Sequence, residues 1–162
     1  MIEHQHTVNK TDVWLTSPHI LHALGDFDLD PCACSEPRPW PTADVHYTKE
    51  MNGFILPWHG RIWLNPPYGS PKIIGTWMRR MAEHGNGIAL IMARTETEMF
   101  HETVWDAATA VLFLKGRLYF HRQDGTRAAA NAGAPSCLIA YGRVNADILA
   151  MSNLPGCVVD LK

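Results

Sequence analysis

Asn65, Pro66, Pro67 and Tyr68 are the residues of this sequence whose types and spacing most clearly suit chemistry, and they follow a compact apolar run, Arg61 to Leu64. The Asn side-chain oxygen can accept a hydrogen bond from an amine, and the Pro66 carbonyl is a second acceptor that consecutive prolines keep out of regular pairing. The Tyr68 ring can stack on a base taken out of a duplex. Together these groups suit methylation of an exocyclic base amine. The alternative is a plain turn, since Asn and Pro are common turn residues.

Two carboxylates, Asp28 and Asp30, lie in the alternating segment Asp26 to Asp30, which predicts a strand with both side chains on one face. In α/β sheets, ligands lie at the carboxyl ends of the strands, near the topological switch point. We therefore expect both carboxylates near the Asn65 group, as ligand contacts or, alternatively, as caps of the following loop.

Strands and helices alternate in the elements that must position these groups. Helices are predicted from Pro18 to a stop at Gly25, from Pro71 to a stop at Gly85, and from Glu96 to Ala107. The prolines between Pro31 and Pro41 predict a loop. The predicted strands are Asp26 to Asp30, Asp44 to Thr48, Arg61 to Leu64, Gly87 to Ala93, Ala110 to Leu114, Leu118 to His121 and Ser136 to Tyr141. This order indicates a three-layer α/β fold with a mostly parallel sheet, whose last two strands form an antiparallel hairpin at one edge.

Length and composition limit the classes of protein to consider. The chain has 162 residues, which predicts a flexible tail at residues 1–10 and a single domain at residues 11–162. A net charge of -2 excludes a wholly basic surface, so binding of a polyanion needs a local patch. The four cysteines have no framework spacing, and there is no signal peptide or membrane-length apolar run. We therefore expect a cytoplasmic protein with reduced thiols.

Several blocks of the sequence, in order, resemble the small phage-type DNA N6-adenine methyltransferases of the Dam family. They are WLTSP (Trp14 to Pro18), FDLDPCA (Phe27 to Ala33), WHGRIWLNPPYG (Trp58 to Gly69), ARTETEMFH (Ala93 to His101), LKGRLYF (Leu114 to Phe120) and PSCLIAYG (Pro135 to Gly142). The resemblance covers most of the chain, from Trp14 to about Gly142.

The resemblance implies a compact Rossmann-like methyltransferase that moves a methyl group from S-adenosylmethionine to adenine N6 in double-stranded DNA. The catalytic residues are then Asn65, Pro66, Pro67 and Tyr68. A host-cell cytoplasmic location and a monomer or homodimer are expected. The interval from Asp30 to Asn65 is short for two strand-helix units, so the cofactor half of the sheet is expected to be trimmed.

Further site residues follow from the same resemblance. The implied cofactor-binding residues are Trp14, Thr16, Pro18, Asp28, Asp30, Pro31, Cys32, Asn52 and Asn65, with Asp44 as an alternative to Asn52. Local charge and position, rather than the resemblance, indicate the nucleic-acid contacts: the patch between Lys115 and Arg127 is basic, and Arg94 follows a buried strand. The alternative is a solvated edge hairpin. The candidate contacts are Arg94, Lys115, Arg117, Phe120, Arg122 and Arg127. The chain departs from broader methyltransferases in two places. Residues 30–33 replace a glycine-rich turn, and Asn52 stands where the family often has an acidic residue.

Other functions remain open at this point. The same Asn-Pro-Pro-Tyr pattern serves methylation of protein glutamine amides, RNA adenine is a possible acceptor, and a catalytically silent DNA-binding module would keep the fold. Zinc is disfavoured, since Cys32 and Cys34 lack a second ligand pair. We expect no metal.

Overall fold

The structure, a computed structural model, describes residues 13–162, so the tail expected at residues 1–10 lies outside the described part of the chain. The helices are α1 (Pro18–Leu24), α2 (Pro71–His84), α3 (Glu98–Phe100), which continues into a π-helical turn (His101–Trp105), and α4 (Arg143–Met151). The strands are β1 (Leu29–Asp30), β2 (Val45–His46), β3 (Ile62–Leu64), β4 (Gly87–Met92), β5 (Ala110–Leu114), β6 (Ser136–Tyr141) and β7 (Gly156–Asp160).

The described strands form one seven-stranded sheet in the order β2-β1-β3-β4-β6-β5-β7. Strands β2, β1, β3 and β4 pair in parallel. Strand β6 is antiparallel to both β4 and β5, and β7 is antiparallel to β5. Strands β1 to β5 therefore share one direction, and their carboxyl ends lie at one edge of the sheet.

Helices cover both faces of the sheet. On one face α1 and α4 pack on Trp63, Ile88 and Leu138. On the other face α2 and the α3 segment pack on Ile62, Ala89 and Ile139. This arrangement confirms the predicted α/β class and its three layers, in which β3, β4 and β6 are buried.

Local signals placed several elements correctly. Helix α2 begins after Ser70, whose Oγ accepts from the Ile73 backbone N–H, and ends at Gly85, which has a left-handed φ of 73°. Strands β1 to β5 all lie within or close to their predicted segments. The described chain has no helix between residues 31 and 61, a stretch that includes the loop predicted from the prolines between Pro31 and Pro41.

The part of the sheet that contains β6, β5 and β7 differs from the prediction. Leu118 to His121 form no strand; only His121 makes isolated bridges, to Leu15 and Arg127. The physical reason is that β6 and β7 already occupy both edges of β5. The expected edge hairpin is therefore wrong, β6 lies inside the sheet, and the sheet is mixed. Strand β7 and helix α4 had not been predicted, although the Pro155-Gly156 turn and the β-branched residues after it are signals for the strand.

The third predicted helix is shorter than expected. It begins after Thr97, whose hydroxyl accepts from the Phe100 N–H, and its second half is the π-helical turn. Within residues 13–162, no helix is long and apolar enough to cross a membrane.

Candidate active site

The topological switch point of the sheet lies between β1 and β3. From β1 the chain passes to β2 on one side, and then returns to place β3 on the other side of β1. Because the connections from the two strands run to opposite sides, a crevice stays open between the carboxyl ends of the strands. The segments that follow β1 and β3 are Pro31-Cys32 and Asn65-Pro66, so both candidate clusters of the sequence meet at this crevice.

A cavity of about 570 Å³ occupies the crevice. Such a volume is typical of small-molecule sites. Most of the residues expected to act here line it, namely Trp14, Thr16, Asp30, Pro31, Cys32, Asn52, Asn65, Pro66, Pro67 and Tyr68. Residues from three separate chain segments, at 13–16, 30–53 and 63–69, thus converge on one site.

The Asn65 side chain has one engaged end and one free end. Its Nδ2 donates to the Trp14 carbonyl at 3.2 Å and lies 3.4 Å from the Thr16 hydroxyl. Its Oδ1 is buried and has no hydrogen-bond partner within residues 13–162. A buried acceptor without a partner is costly in a folded protein unless a ligand uses it. The arrangement therefore offers Oδ1 to a donor in the cavity.

Tyr68 is held as a wall of the cavity rather than as a polar group. Its ring packs edge-on against Phe120 at a centroid distance of 5.9 Å, and its hydroxyl is buried without a partner in the described chain. Burial, followed by the charges of Cys137 and Cys32, raises the pKa of the Tyr68 phenol, so the hydroxyl stays protonated. Tyr68 can supply an aromatic surface but not a base.

Phe120 corrects one expectation. It is 9% exposed, and the ring packs in the core beside Tyr68. A buried ring has no face for a nucleic acid, so Phe120 supports Tyr68 from behind.

The Asp30 carboxylate is 3% exposed, and both of its oxygens have partners within the protein. Oδ1 accepts from the Cys32 N–H at 2.9 Å, and Oδ2 accepts from the Thr42 hydroxyl at 2.5 Å. Burial raises the pKa of the Asp30 carboxyl from 3.8 to about 6, against the opposing effects of these bonds and of Arg38. Asp30 therefore shapes the loop after β1 while it lines the cavity.

The raised pKa predicts a pH-dependent stability. The folded state holds the Asp30 proton more tightly than the unfolded chain does. The stabilisation of the folded state by this proton is therefore complete below about pH 4 and is lost as the pH rises through 6. Asp30→Asn stays neutral, keeps an oxygen for Cys32, and can donate to Thr42. We expect the free energy of unfolding of this variant to improve relative to wild type, by at most about 3 kcal/mol, between roughly pH 4 and 7. Urea unfolding at several pH values measures this; a difference that does not change with pH would contradict it.

Two expected cofactor residues, Asp28 and Pro18, do not line the cavity. Asp28 is exposed, and its Oδ2 accepts from the Arg61 N–H at 2.6 Å, so it ties the start of β1 to β3. Pro18 is the first residue of α1. In the extended segment Asp28 stands two residues before Asp30, and only Asp30 lies at the carboxyl end.

The structure adds cavity residues that the sequence prediction lacked. Glu50 lines the cavity and accepts from the Ser35 hydroxyl at 2.7 Å, which is the main reason its pKa is lowered. It lies two residues before Asn52, so an acidic group is present close to where one was expected. The alternative residue Asp44 is exposed and does not line the cavity. Other lining residues outside the prediction include Arg38, Trp40, Thr42, Lys49, Ile73 and Trp77.

Comparison with known proteins shows the family to which the chain belongs. Residues 4–155 match the family described as DNA N-6-adenine-methyltransferase (Dam). The chain belongs to this family. A DNA N-6-adenine-methyltransferase of Escherichia phage T1 is 31% identical over 108 residues, which cover 62% of this chain and 44% of the phage protein. The chain thus accounts for less than half of that relative's length. No solved structure matches the chain.

In this Dam-family chain the expected basic residues are exposed around the sheet edge that carries the cavity. Lys115, Arg117, Arg122 and Arg127 lie between β5 and β6, in a segment that leaves the carboxyl end of β5. Arg94 follows β4 at the same edge, outside the cavity lining. The backbone of His121 pairs in both directions with Leu15, which lines the cavity, so this segment passes beside it.

The cysteines of the Dam-family chain are all free, and Cys32 lies in the cavity wall. Burial, with a smaller effect of the Asp30 charge, raises the pKa of the Cys32 thiol, so it is not a thiolate nucleophile at neutral pH. Within residues 13–162, no group of three or more His, Cys, Asp or Glu side chains could hold a metal ion.

Proposed function

We propose that this chain transfers a methyl group from S-adenosylmethionine to the N6 amine of adenine in DNA. The observation that carries the proposal is the buried Oδ1 of Asn65, an acceptor without a partner in the described chain, at the wall of the cavity. Membership of the Dam family makes an adenine in DNA the favoured acceptor.

The adenine amine needs help because its lone pair is delocalised into the ring. Asn65 Oδ1 accepts one N6 hydrogen, and the Pro66 carbonyl accepts the second. Two acceptors localise the lone pair toward the methyl donor and stabilise the positive charge that develops on nitrogen as the new bond forms. Pro66 and Pro67 have no N–H, so their backbone offers only acceptors at this position. The C–S bond of the donor would break as the N–C bond forms, which would leave S-adenosylhomocysteine as a neutral thioether. The nitrogen would then lose a proton to water to restore the neutral amine.

The target base must leave the duplex to reach this site. Tyr68 offers its ring as a stacking surface, and the edge contact from Phe120 holds that ring in place. A base that is bound between the Tyr68 ring and Asn65 presents N6 to both acceptors.

Two Tyr68 variants separate stacking from hydrogen bonding. Tyr68→Ala should lower methyl transfer about 10- to 100-fold, because stacking on an aromatic side chain contributes roughly 1–3 kcal/mol per base. Tyr68→Phe should remain close to wild type, since it keeps the ring on which the base stacks and the contact with Phe120. Steady-state rates with duplex DNA measure both. Equal losses in the two variants would contradict the stacking role.

The cavity fits a nucleoside-containing cofactor such as S-adenosylmethionine. Carboxylate and amide groups of Glu50 and Asn52 line it and can take ribose hydroxyls, while Asp30 lines it from the end of β1. Gly53 packs directly against the turn at residues 30–33, since a Cβ there would lie 2.0 Å from the Pro31 carbonyl oxygen. When bound, the cofactor supplies a methyl group on a sulfonium.

The fold supports the same proposal. Strands β2, β1, β3 and β4 pair in parallel around the switch point, with the site at their carboxyl ends, which supports a Rossmann-like arrangement. The helix-free stretch between β1 and β3 corresponds to the trimmed cofactor half. The exposed basic residues of the segment 115–127 are suited to contact DNA phosphates beside the cavity.

A choice of acceptors tests the proposal. The protein is incubated with S-adenosylmethionine that carries a labelled methyl group and with duplex DNA, RNA of the same sequence, or a glutamine-containing peptide. We expect label in the DNA alone. Label in RNA or peptide and none in DNA would overturn the DNA assignment, and binding of cofactor without transfer to any of the three would indicate a silent module.

A further inference from the structure

The orientation of the Asn65 amide is set by a distant segment, residues 14–16. The Asn65 Nδ2 group faces two acceptors of this segment, the Trp14 carbonyl and the Thr16 hydroxyl. Thr16 is 3% exposed, so its hydroxyl has little access to bulk water. One amide end thus donates to the Trp14 carbonyl, which can only accept, and to the Thr16 hydroxyl, which accepts in this arrangement, and the other end is left for the cavity.

The opposite orientation of the amide is disfavoured. A carbonyl has no hydrogen to donate, so a flipped amide would place Asn65 Oδ1 against the Trp14 oxygen with no hydrogen between them. The flip would also turn the Nδ2 hydrogens toward the cavity. The target amine presents hydrogens there too, so neither group could accept from the other. Only the observed orientation combines a satisfied Nδ2 group with an acceptor in the cavity.

Segment 14–16 is itself fixed by contacts on both sides. Leu15 and His121 exchange two backbone hydrogen bonds of 2.8 and 2.9 Å. The indole N–H of Trp40 donates to the Thr16 carbonyl at 3.1 Å. Because the backbone is held at Leu15 and Thr16, the two acceptors stay at a constant position relative to Asn65.

We propose that Thr16 is a positioning residue whose hydroxyl, with the Trp14 carbonyl, holds the Asn65 amide with Oδ1 toward the target amine. This inference rests on the proposed methyl transfer and gives Thr16 a role different from the cofactor contact that the resemblance implies. It acts through Asn65.

Thr16→Val and Thr16→Ser form the matched test. Valine keeps the shape and removes the hydroxyl, whereas serine keeps the hydroxyl. We expect Thr16→Val to lower kcat about five- to tenfold, since the Trp14 carbonyl still holds one N–H. The KM for S-adenosylmethionine should stay unchanged, and Thr16→Ser should restore kcat. A raised cofactor KM with unchanged kcat, or equal loss in both variants, would overturn the proposal.

A second measurement does not depend on activity. The Asn65 side-chain amide protons are assigned by NMR from their loss in Asn65→Ala, and their exchange with solvent is measured in wild type and Thr16→Val. Exchange that is slow in wild type and at least severalfold faster in Thr16→Val supports the positioning role even if no acceptor is methylated. Equal exchange in the two proteins overturns it. Failure of the methylation assay alone would instead count against the proposed function.

Discussion

Asn65→Ala is expected to lower kcat for methyl transfer by about 10³-fold, the largest effect on activity that the structure predicts. The variant loses the acceptor that localises the amine lone pair and stabilises the charge that develops on it. Removal of one such preorganised group typically costs about 10²–10³ in kcat. Single-turnover rates with saturating DNA and cofactor measure the loss directly.

Binding measurements must accompany this variant. Cofactor affinity should change little, because the free oxygen of Asn65 binds the adenine that receives the methyl group and not the cofactor. The free energy of unfolding should also stay near that of wild type, since the lost bonds to Trp14 and Thr16 are accompanied by removal of a buried oxygen without a partner. A variant that binds cofactor and retains a wild-type rate would contradict the role given to Asn65.

Gly87→Ala is expected to have the largest effect on stability, a loss of about 4 kcal/mol or more. Gly87 begins β4 opposite Ile62 of β3, and its φ is +146°. A Cβ there would lie 2.2 Å from the Ile62 carbonyl oxygen and 2.7 Å from the Ile62 nitrogen. Both atoms belong to a central strand that cannot move without disturbing the sheet. Since native domains are stable by only about 5–15 kcal/mol, the variant should be largely unfolded on modest heating.

Gly133→Ala is the matched control for this prediction. A Cβ at Gly133 meets no atom within 4 Å, and its backbone lies outside the positive-φ region. Chemical denaturation of the two variants should therefore give a large loss for Gly87→Ala and a change below about 0.5 kcal/mol for Gly133→Ala. Similar losses in the two variants would contradict the packing at the β3–β4 pair.

Sequence patterns predicted those elements whose signals are local. Helix α2 begins at Pro71 and ends at Gly85 as predicted, and the Ser70 hydroxyl, which the prediction lacked, caps its start. The segment Leu118 to His121 has a strand-like pattern too, but β5 already has neighbours on both sides, so the pattern finds no partner strand. Strand pairing depends on the whole sheet, and no local pattern records which edges are occupied.

The candidate site also combines features that local sequence patterns predict with contacts that they do not predict. The Asn-Pro-Pro-Tyr cluster was predicted because strand and turn signals meet within a few residues. The contact of Asn65 with Thr16 joins residues 49 positions apart, and no periodicity connects them. Likewise the pattern gave Asp28 and Asp30 the same face, while the pairing of β1 with β3 left only Asp30 at the cavity. Functional geometry of this kind is set by tertiary packing.

The identity of the methylated nucleoside tests the central claim most directly. Duplex DNA is methylated by the wild-type protein with labelled S-adenosylmethionine, digested to nucleosides and separated against standards. The account predicts that the label elutes with N6-methyl-2′-deoxyadenosine and is lost with Asn65→Ala. Label that elutes with a methylated cytosine nucleoside, or label in adenine that persists in Asn65→Ala, would contradict it.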